Sequence, residues 1–395
     1  MTSDPNRAQV TRLLHQWLSR SRRHAAQSFA LLILKLAPDN SSSTAELLQT
    51  LLRTEDTVVR LDAHTLAVLA ADLRHVSDPL RMVRRIWLNL PGQVLGVGVA
   101  LCASGPESAQ HMLAESQRAA DSAQSNACVY SDPELQQAAE ERLEMESALR
   151  EGLQLGHIQP YYQPIVELTS GQITSFEALA RWNHPTRGCL LPKSFLGVAR
   201  DCGLLPQLDA TMLQQSLEQL SRWSREVDRP IRLSVNLCPD HFLLPNGIAR
   251  LRPILDAYQS VVPQLRVDVS EQVLFEPAGL ETLHKLRDLK VGFHLDDFGV
   301  GPESFHCLAS FPFHSLKIDR SLINEMEEEV NAELIAALLR IASRMKMRTI
   351  AEGLVTHAQL EELRNLGCHE AQGFLFSPAV NAEEAILLLQ QEHCW

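Results

Sequence analysis

The sequence predicts an α/β fold whose larger, C-terminal part is a closed (β/α)8-type, TIM-like barrel, preceded by a smaller α/β domain. Three observations carry this expectation. From residue 157 onward, eight short strand-like runs recur, and helix-periodic stretches separate most of them. Eight runs in about 240 residues suit a sheet closed on itself. Run after run also ends in one or two polar, mostly acidic residues, and in such barrels the reactive site lies at the C-terminal ends of the strands.

The first third of the chain supplies the smaller domain. Residues 7–30 read as an amphipathic helix, with Leu13, Leu14, Trp17 and Leu18 on one face and Arg20, Arg22, Arg23 and His24 near its end. This is a core stripe with a solvated basic patch rather than a membrane contact. FALLILKLAP (29–38) reads as a strand. SSSTAELLQTLLR reads as a helix, with Thr44 as its cap and Glu46 in its first turn. VVRLDAHTLAVLAAD reads as two strands meeting at Asp62–Ala63. VLGVGVALC (94–102) is a further strand whose glycines let a neighbour approach closely. Residues 131–153 form a connecting helix, opened by Ser131 or Asp132 with Pro133 in the first turn. The expected domains are therefore 1–130, the 131–153 helix, and 154–395.

The barrel strands are read in HIQPYYQPIVEL, ITSFEALARW, IRLSVNLC, LRVDVSE, KVGFHLDD, HSLKID, MRTIAEG and HEAQGFLFS. Helical stretches such as DATMLQQSLEQLSRWSREV, GLETLHKLRDLK and NAELIAALLRIASRM lie between them. Glu177 and Arg181, four apart, would alone read as a solvated helix face. Their company changes the reading. Glu177, Asn236, Asp268, Asp296, Asp297 and Glu352 would offer oxygen ligands from the ends of several strands. Oxygen-only donor sets suit hard cations such as Mg2+ or Mn2+ rather than zinc. Crowded carboxylates repel one another without such a charge. Two cations among them would clamp a phosphodiester and activate water. Lys317 would orient that water or stabilise developing charge, and Arg181 would hold a phosphate oxygen.

Composition narrows the function classes. The chain is 45% hydrophobic and 21% charged, ordinary values for a packed protein. No window approaches the roughly 18 apolar residues of a membrane span, and no secretory signal is read, so a cytoplasmic location is expected. The formal net charge of −12 argues against nucleic acid polymers as partners. The eight cysteines lack any C-x-x-C pair, which argues against a disulfide framework or a zinc site. The fifteen histidines show no H-x-x-x-H pair in an acidic frame.

Two resemblances follow from the motifs. YYQPIV, EALARWNHPTRG, LPKSFLGVARDCGLL, SVNL, HLDDFG, LKIDRS, AEG and QGFLFSP, in this order, resemble an EAL domain. FALLILKLAP, RTEDTVVRLDAHTLAVL and VLGVGVALC resemble a GGDEF domain, the diguanylate cyclase fold. The EAL resemblance implies a metal-dependent enzyme hydrolysing cyclic di-GMP to linear pGpG with Mg2+ or Mn2+. It implies metal ligation by Glu177, Asn236, Asp268, Asp296, Asp297 and Glu352, with catalytic roles for Asp297, Lys317 and Glu352. It also implies ligand contacts from Gln163, Leu179, Arg181 and Gln372, and a loop anchored by Glu271. It implies a homodimer through this domain, and leaves room for other protein partners.

The GGDEF resemblance implies a degenerate domain. Asp62, Ala63, His64, Thr65 and Leu66 stand where the family has its five signature residues, so no cyclase chemistry is expected and a regulatory role is. Arg53 and Asp56 keep the spacing of the family's inhibitory site. The barrel departs from its family too. Asp268 replaces a usual Glu, Val300 to Ser304 replace T-G-Y-S-S, and Leu354, Val355 and Thr356 replace V-E-T. These changes raise the alternative of a cyclic di-GMP receptor with little or no turnover. If the shorter Asp268 is the limiting defect, Asp268→Glu preserves or raises activity.

Overall fold

A strand with an unbroken apolar run can be buried on both faces, and Phe29–Leu34 gives β1 (Ser28–Leu36) that position, with only Ser28 and Lys35 partly exposed. In the computed structural model, which describes residues 5–23, 28–38, 41–102, 108–298, 310–390 and 395, it is the middle of a five-stranded sheet. The other strands of that sheet are β2 (Thr57–Asp62), β3 (Thr65–Leu73), β4 (Val94–Cys102) and β5 (Ala127–Tyr130), in the order β2-β3-β1-β4-β5. β1 is antiparallel to β3 and β4, while β4 and β5 run parallel. Ala30, Leu32 and Leu34 face a core with Val83 and Ile86 of the helix Asp78–Asn89. Phe29, Leu31 and Ile33 face the opposite core, with Val10 and Leu14 of the helix Pro5–Arg23.

Several expectations for this unit hold, and two shift. Gly98 is the close approach read from the sequence: a Cβ there would lie 2.1 Å from Ala120 N in the helix Ala109–Ser122. The first helix ends at Arg23 rather than reaching residue 30, because Ser28–Leu36 is committed to the sheet. Thr44 is not a cap, since its helix begins at Ser41; the buried Thr44 hydroxyl donates to Gln93 Oε1 at 2.8 Å instead. The Asp56 carboxylate accepts the backbone N–H groups of Arg53 and Ala71, which ties it to its turn.

The chain divides into two compact units, Met1–Ser147 and Ala148–Trp395, and the division falls within the helix Pro133–Gln154. Asp132 Oδ1 accepts Glu134 N at the start of that helix, as the sequence suggests. Ala139 and Leu143 join the first unit's core. Gly152, in the second unit, leaves room for the Trp182 indole, whose Nε1 would lie 2.8 Å from a Cβ at that position.

The second unit is a closed barrel. Its strands are β6 (Ile158–Glu167), β7 (Ile173–His184), β9 (Arg232–Asn236), β10 (Leu265–Ser270), β11 (Gly292–Phe298), β12 (Ser315–Ile318), β13 (Arg348–Ala351) and β14 (Glu370–Ala371). These are the eight runs read from the sequence. The short β8 (Gly188–Leu190) is added at the edge of β7. β6 closes the ring by pairing with β7 and β14, antiparallel to both, while the other pairings around the ring are parallel. The five residues between β6 and β7 are too few for a crossover helix, so a reversal is the available connection.

Strand alternation sorts the side chains. Val267, Val269, Phe293, Leu295, Leu316 and Ile318 face outward into one core with Leu213, Leu217, Leu283, Leu286, Ile335 and Leu339 of the surrounding helices. Their neighbours, Asp268, His294, Asp296 and Lys317, turn into the barrel.

Candidate active site

The inward residues at the C-terminal strand ends converge on one ammonium group. Lys317, on β12, is buried to 2% exposure. Its Nζ lies 2.7 Å from Glu352 Oε1, 2.9 Å from Asp268 Oδ2, 3.4 Å from Asp296 Oδ1 and 3.6 Å from Glu177 Oε1. Those four carboxylates come from four segments: β7, β10, β11 and the residue after β13. Burial alone would favour neutral Lys317, but Asp268, Glu177, Glu352 and Asp296 outweigh it and hold the amine protonated.

Amides fix the carboxylates from the other side. Gln372 Nε2 donates to Glu177 Oε2 at 2.7 Å and to Glu352 Oε1 at 3.2 Å. Asn236 Nδ2 donates to Glu177 Oε1 at 2.8 Å, from the exposed end of β9. Glu177 thus accepts from two amides and faces Lys317, which fixes its orientation.

Charge is not balanced within this cluster. Four carboxylates face one ammonium, and the surplus falls on Glu352. Burial first, then repulsion from Glu177 and Asp296, raise its carboxyl to about 8 against the pull of Lys317. Asp268 goes the other way: burial resists its charge, but Lys317 and a contact from His294 Nδ1 at 3.1 Å hold it low. His294 is a site residue that the sequence reading missed. Its signal is parity, two residues before Asp296 on an alternating strand.

The remaining expected site residues lie at varied places. Gln163 is buried opposite Glu177 in the β6–β7 register, but its Nε2 donates to Ser377 O at 3.2 Å. Leu179 and Arg181 follow Glu177 at spacings of two and four on β7, hence on the same face of a strand, not of a helix. The Arg181 guanidinium lies 5.9 Å from the Tyr161 ring centroid and donates to Ala180 O. Glu271 is buried at the start of the 3-10 turn Glu271–Phe275, just beyond β10. Asp297 belongs to β11, but its side chain and the loop 299–309, with Val300, Gly301, Pro302, Glu303 and Ser304, lie outside the described residues. Val355 is exposed, and its N–H donates to Gln359 Oε1 within the capping box of the helix His357–Asn365.

The residues present fit a hard divalent cation. The donor set is oxygen from Glu177, Asn236, Asp296 and Glu352, and its negative charge exceeds what Lys317 neutralises. Gln372 Oε1 is a further buried oxygen, without a hydrogen-bond partner.

Comparison with known proteins agrees with this geometry. The EAL domain family matches residues 146–379. This chain belongs to the EAL domain family. Among its relatives is the Pseudomonas aeruginosa protein named Cyclic di-GMP phosphodiesterase NbdA, 30% identical over 84% of this chain and 44% of its own length. A second relative from Pseudomonas aeruginosa, Bifunctional diguanylate cyclase/cyclic di-GMP phosphodiesterase MucR, is 28% identical over 87% of this chain and 52% of its own length. The chain thus spans about half the length of these curated relatives. A solved structure titled as the PaMucR phosphodiesterase in complex with c-di-GMP is 32% identical, covers 61% of this chain and 99% of its own, and superposes with a TM-score of 0.58.

Proposed function

We propose that the barrel hydrolyses cyclic di-GMP to linear pGpG, using two divalent cations, Mg2+ or Mn2+. The observation that carries this reading is the Lys317-centred cluster, in which four carboxylates from separate strand ends meet with a surplus of negative charge. The names of the relatives support the substrate. Glu177, Asn236, Asp296, Asp297 and Glu352 would hold the cations. Bound there, the cations would supply a nucleophilic hydroxide and neutralise phosphate charge.

The chain's own residues divide the remaining work. Gln372 and Asn236 hold the Glu177 carboxylate in one orientation before any ligand arrives. Lys317 keeps the ring of carboxylates together and presents positive charge where charge develops at the phosphate. Arg181, at the rim of the same face, binds a non-bridging phosphate oxygen, while Gln163 and Leu179 line the approach. A homodimer through the barrel accompanies this reading.

The N-terminal unit serves a regulatory role as a GGDEF-like domain without cyclase chemistry. At residues 62–66 it has a tight β2–β3 hairpin in which Asp62 Oδ1 accepts His64 N, so this acidic side chain is spent on the turn.

One observation favours a second reading, a receptor that binds cyclic di-GMP and turns it over slowly. Both Asp268 oxygens are engaged, Oδ1 by His294 and Oδ2 by Lys317, on a side chain with no exposed surface, so Asp268 serves as the counter-ion of Lys317, whereas the Asp296 and Glu352 side chains keep 18% exposure. Incubation with cyclic di-GMP and Mg2+ or Mn2+, followed by nucleotide chromatography, separates the two. Appearance of pGpG that is lost in Glu177→Ala supports the enzyme. Unchanged cyclic di-GMP with calorimetric binding supports the receptor, and neither turnover nor binding overturns both.

A further inference from the structure

Outside the carboxylate cluster, the second unit brings together a carboxylate, a thiol and an imidazole: Asp209 on the helix Leu205–Glu226, Cys238 just after β9, and His241 in the short helix Asp240–Leu243. Their ligand atoms all lie within 4.8 Å of one another. The Cys238–His241 turn is closed by His241 N donating to Cys238 O, and Cys238 N donates to Asp209 Oδ2 at 2.7 Å. Asp209 and His241 are buried, while Cys238 is partly exposed and gives a path from solvent.

The orientation of His241 is the informative feature. Its Nδ1 lies 2.9 Å from Gly247 O, and a carbonyl carries no proton, so Nδ1 is the donor. The other nitrogen, Nε2, is buried on a side chain only 1% exposed and makes no well-aligned hydrogen bond, although, against the effect of burial, the nearby Asp209 carboxylate favours its protonated form. It nevertheless faces Asp209 Oδ2 at 3.3 Å. Two acceptors at this separation need a positive charge between or upon them. The oxygen lies off the direction in which an Nε2 proton would point, since the pair fails as a hydrogen bond. A tetrahedral ion with bonds of about 2.0 Å places neighbouring N and O ligands roughly 3.3 Å apart and off each other's axis. An imidazole bonded to metal through Nε2, with Nδ1–H on a backbone carbonyl, is the arrangement that fixes such a ligand.

We propose that Asp209, Cys238 and His241 form a second metal centre for a borderline transition-metal ion, zinc foremost, separate from the oxygen-only cluster. A mixed O, N and S donor set selects such ions over Mg2+ or Mn2+. Three protein ligands leave a fourth position for water. Cys238 lies two residues beyond Asn236, so the ion fixes the turn that follows the strand end whose amide holds Glu177. The spacing of cysteines alone argues against zinc, and Asp209 joins the C-x-x-H pair only through the fold.

The test uses the full chain, stripped with a chelator and titrated with Co2+. The expected result is a thiolate-to-Co2+ charge-transfer band saturating at one equivalent, displaced by Zn2+ and not by excess Mg2+. Cys238→Ser should abolish the band, whereas Cys189→Ser, at an exposed thiol on β8, should leave it intact. His241→Gln should weaken Zn2+ binding at least about tenfold in competition with a chromogenic chelator, about 1.4 kcal/mol. Absence of the band in the unaltered chain overturns the proposal, as does a band that survives Cys238→Ser. Unchanged Zn2+ affinity in His241→Gln overturns it too, and leaves an imidazolium–carboxylate ion pair.

Discussion

At the N-terminal end of the barrel, Glu370 and Glu167 meet Arg232 and Arg348, with Arg266 filling the space that Gly292 leaves open. At the C-terminal end, Glu177, Asp268, Asp296 and Glu352 share Lys317. Both ends are built from strands of the one barrel, with β10 and β13 serving both, yet their charge surpluses have opposite sign. Arg266 falls to about 10, through burial and then repulsion from Arg232, and Glu167 is held below its ordinary range by Ser170 and Arg348. Glu352, at the other end, is pushed up to about 8. The N-terminal end satisfies its carboxylates internally, as a structural network does. The C-terminal end leaves negative charge that a ligand or cation can answer, which is the mark of a functional site.

The largest expected effect comes from removing the single ammonium. Lys317→Met leaves four crowded carboxylates without a counter-charge, and should cost about 3–5 kcal/mol, as breaking a buried pair does. Hydrolysis should fall to background. Because the surplus is negative, Mg2+ or Mn2+ should recover part of the lost melting temperature. A melt unmoved by the substitution would refute the counter-ion role.

Glu370→Gln tests the opposite end. Glu370 Oε1 accepts from Thr174 at 2.6 Å and from Arg232 at 2.7 Å, and Oε2 accepts from Arg348 at 3.3 Å. Loss of its charge should cost about 2–3 kcal/mol in urea unfolding, given charged hydrogen bonds of about 1.5–3 kcal/mol each and guanidinium groups that can turn toward solvent. Turnover per folded molecule should stay unchanged, as Glu370 lies at the opposite end of the barrel strands from Lys317 and its carboxylates. Equal loss of turnover in both variants would erase the distinction between the two ends.

The sequence exposes most of this comparison, but unevenly. The eight barrel strands are legible because each is a short run bounded by polar ends, and Glu177, Asp268, Asp296, Lys317 and Glu352 are legible because they stand at those ends. The antiparallel course of β6 is not, since strand direction is set by the length of a connection and not by composition. His294 and Gly292 escape notice because an isolated histidine or glycine has meaning only once the register places it beside Asp268 or Arg266. The Asp209, Cys238 and His241 group is hidden for the same reason: its members lie on a helix and a later turn, and only packing joins them.

A smaller effect is expected at Asp268, where the sequence leaves open whether the shorter acid is the limiting defect and the packing favours a site built for Asp. The side chain is buried between Lys317 and His294, with contacts of 2.9 and 3.1 Å. The extra methylene of Asp268→Glu must displace one of them, so the change should destabilise by about 1–3 kcal/mol and lower turnover. Thermal melts with nucleotide chromatography check this; a fully active, equally stable variant would mean that the pocket has room for the longer acid.

The smallest effect lies at the N-terminal end and has a defined pH signature. Ser170 Oγ donates to Glu167 Oε2 at 2.9 Å and is the leading cause of the lowered Glu167 pKa. A carboxyl whose pKa is depressed on folding contributes stability that is fully present above its unfolded value, near 4.5, and is lost as pH falls through the lower folded value. Ser170→Ala should therefore cost about 0.5 kcal/mol at neutral pH, in keeping with a partly exposed charge screened by solvent. The difference from the unaltered chain should shrink once Glu167 protonates in both. Urea unfolding at neutral pH and again well below 4.5 reads this directly. A gap that persists in acid would assign the loss to the turn, where Ser170 Oγ also accepts Gln172 N, and not to the charge.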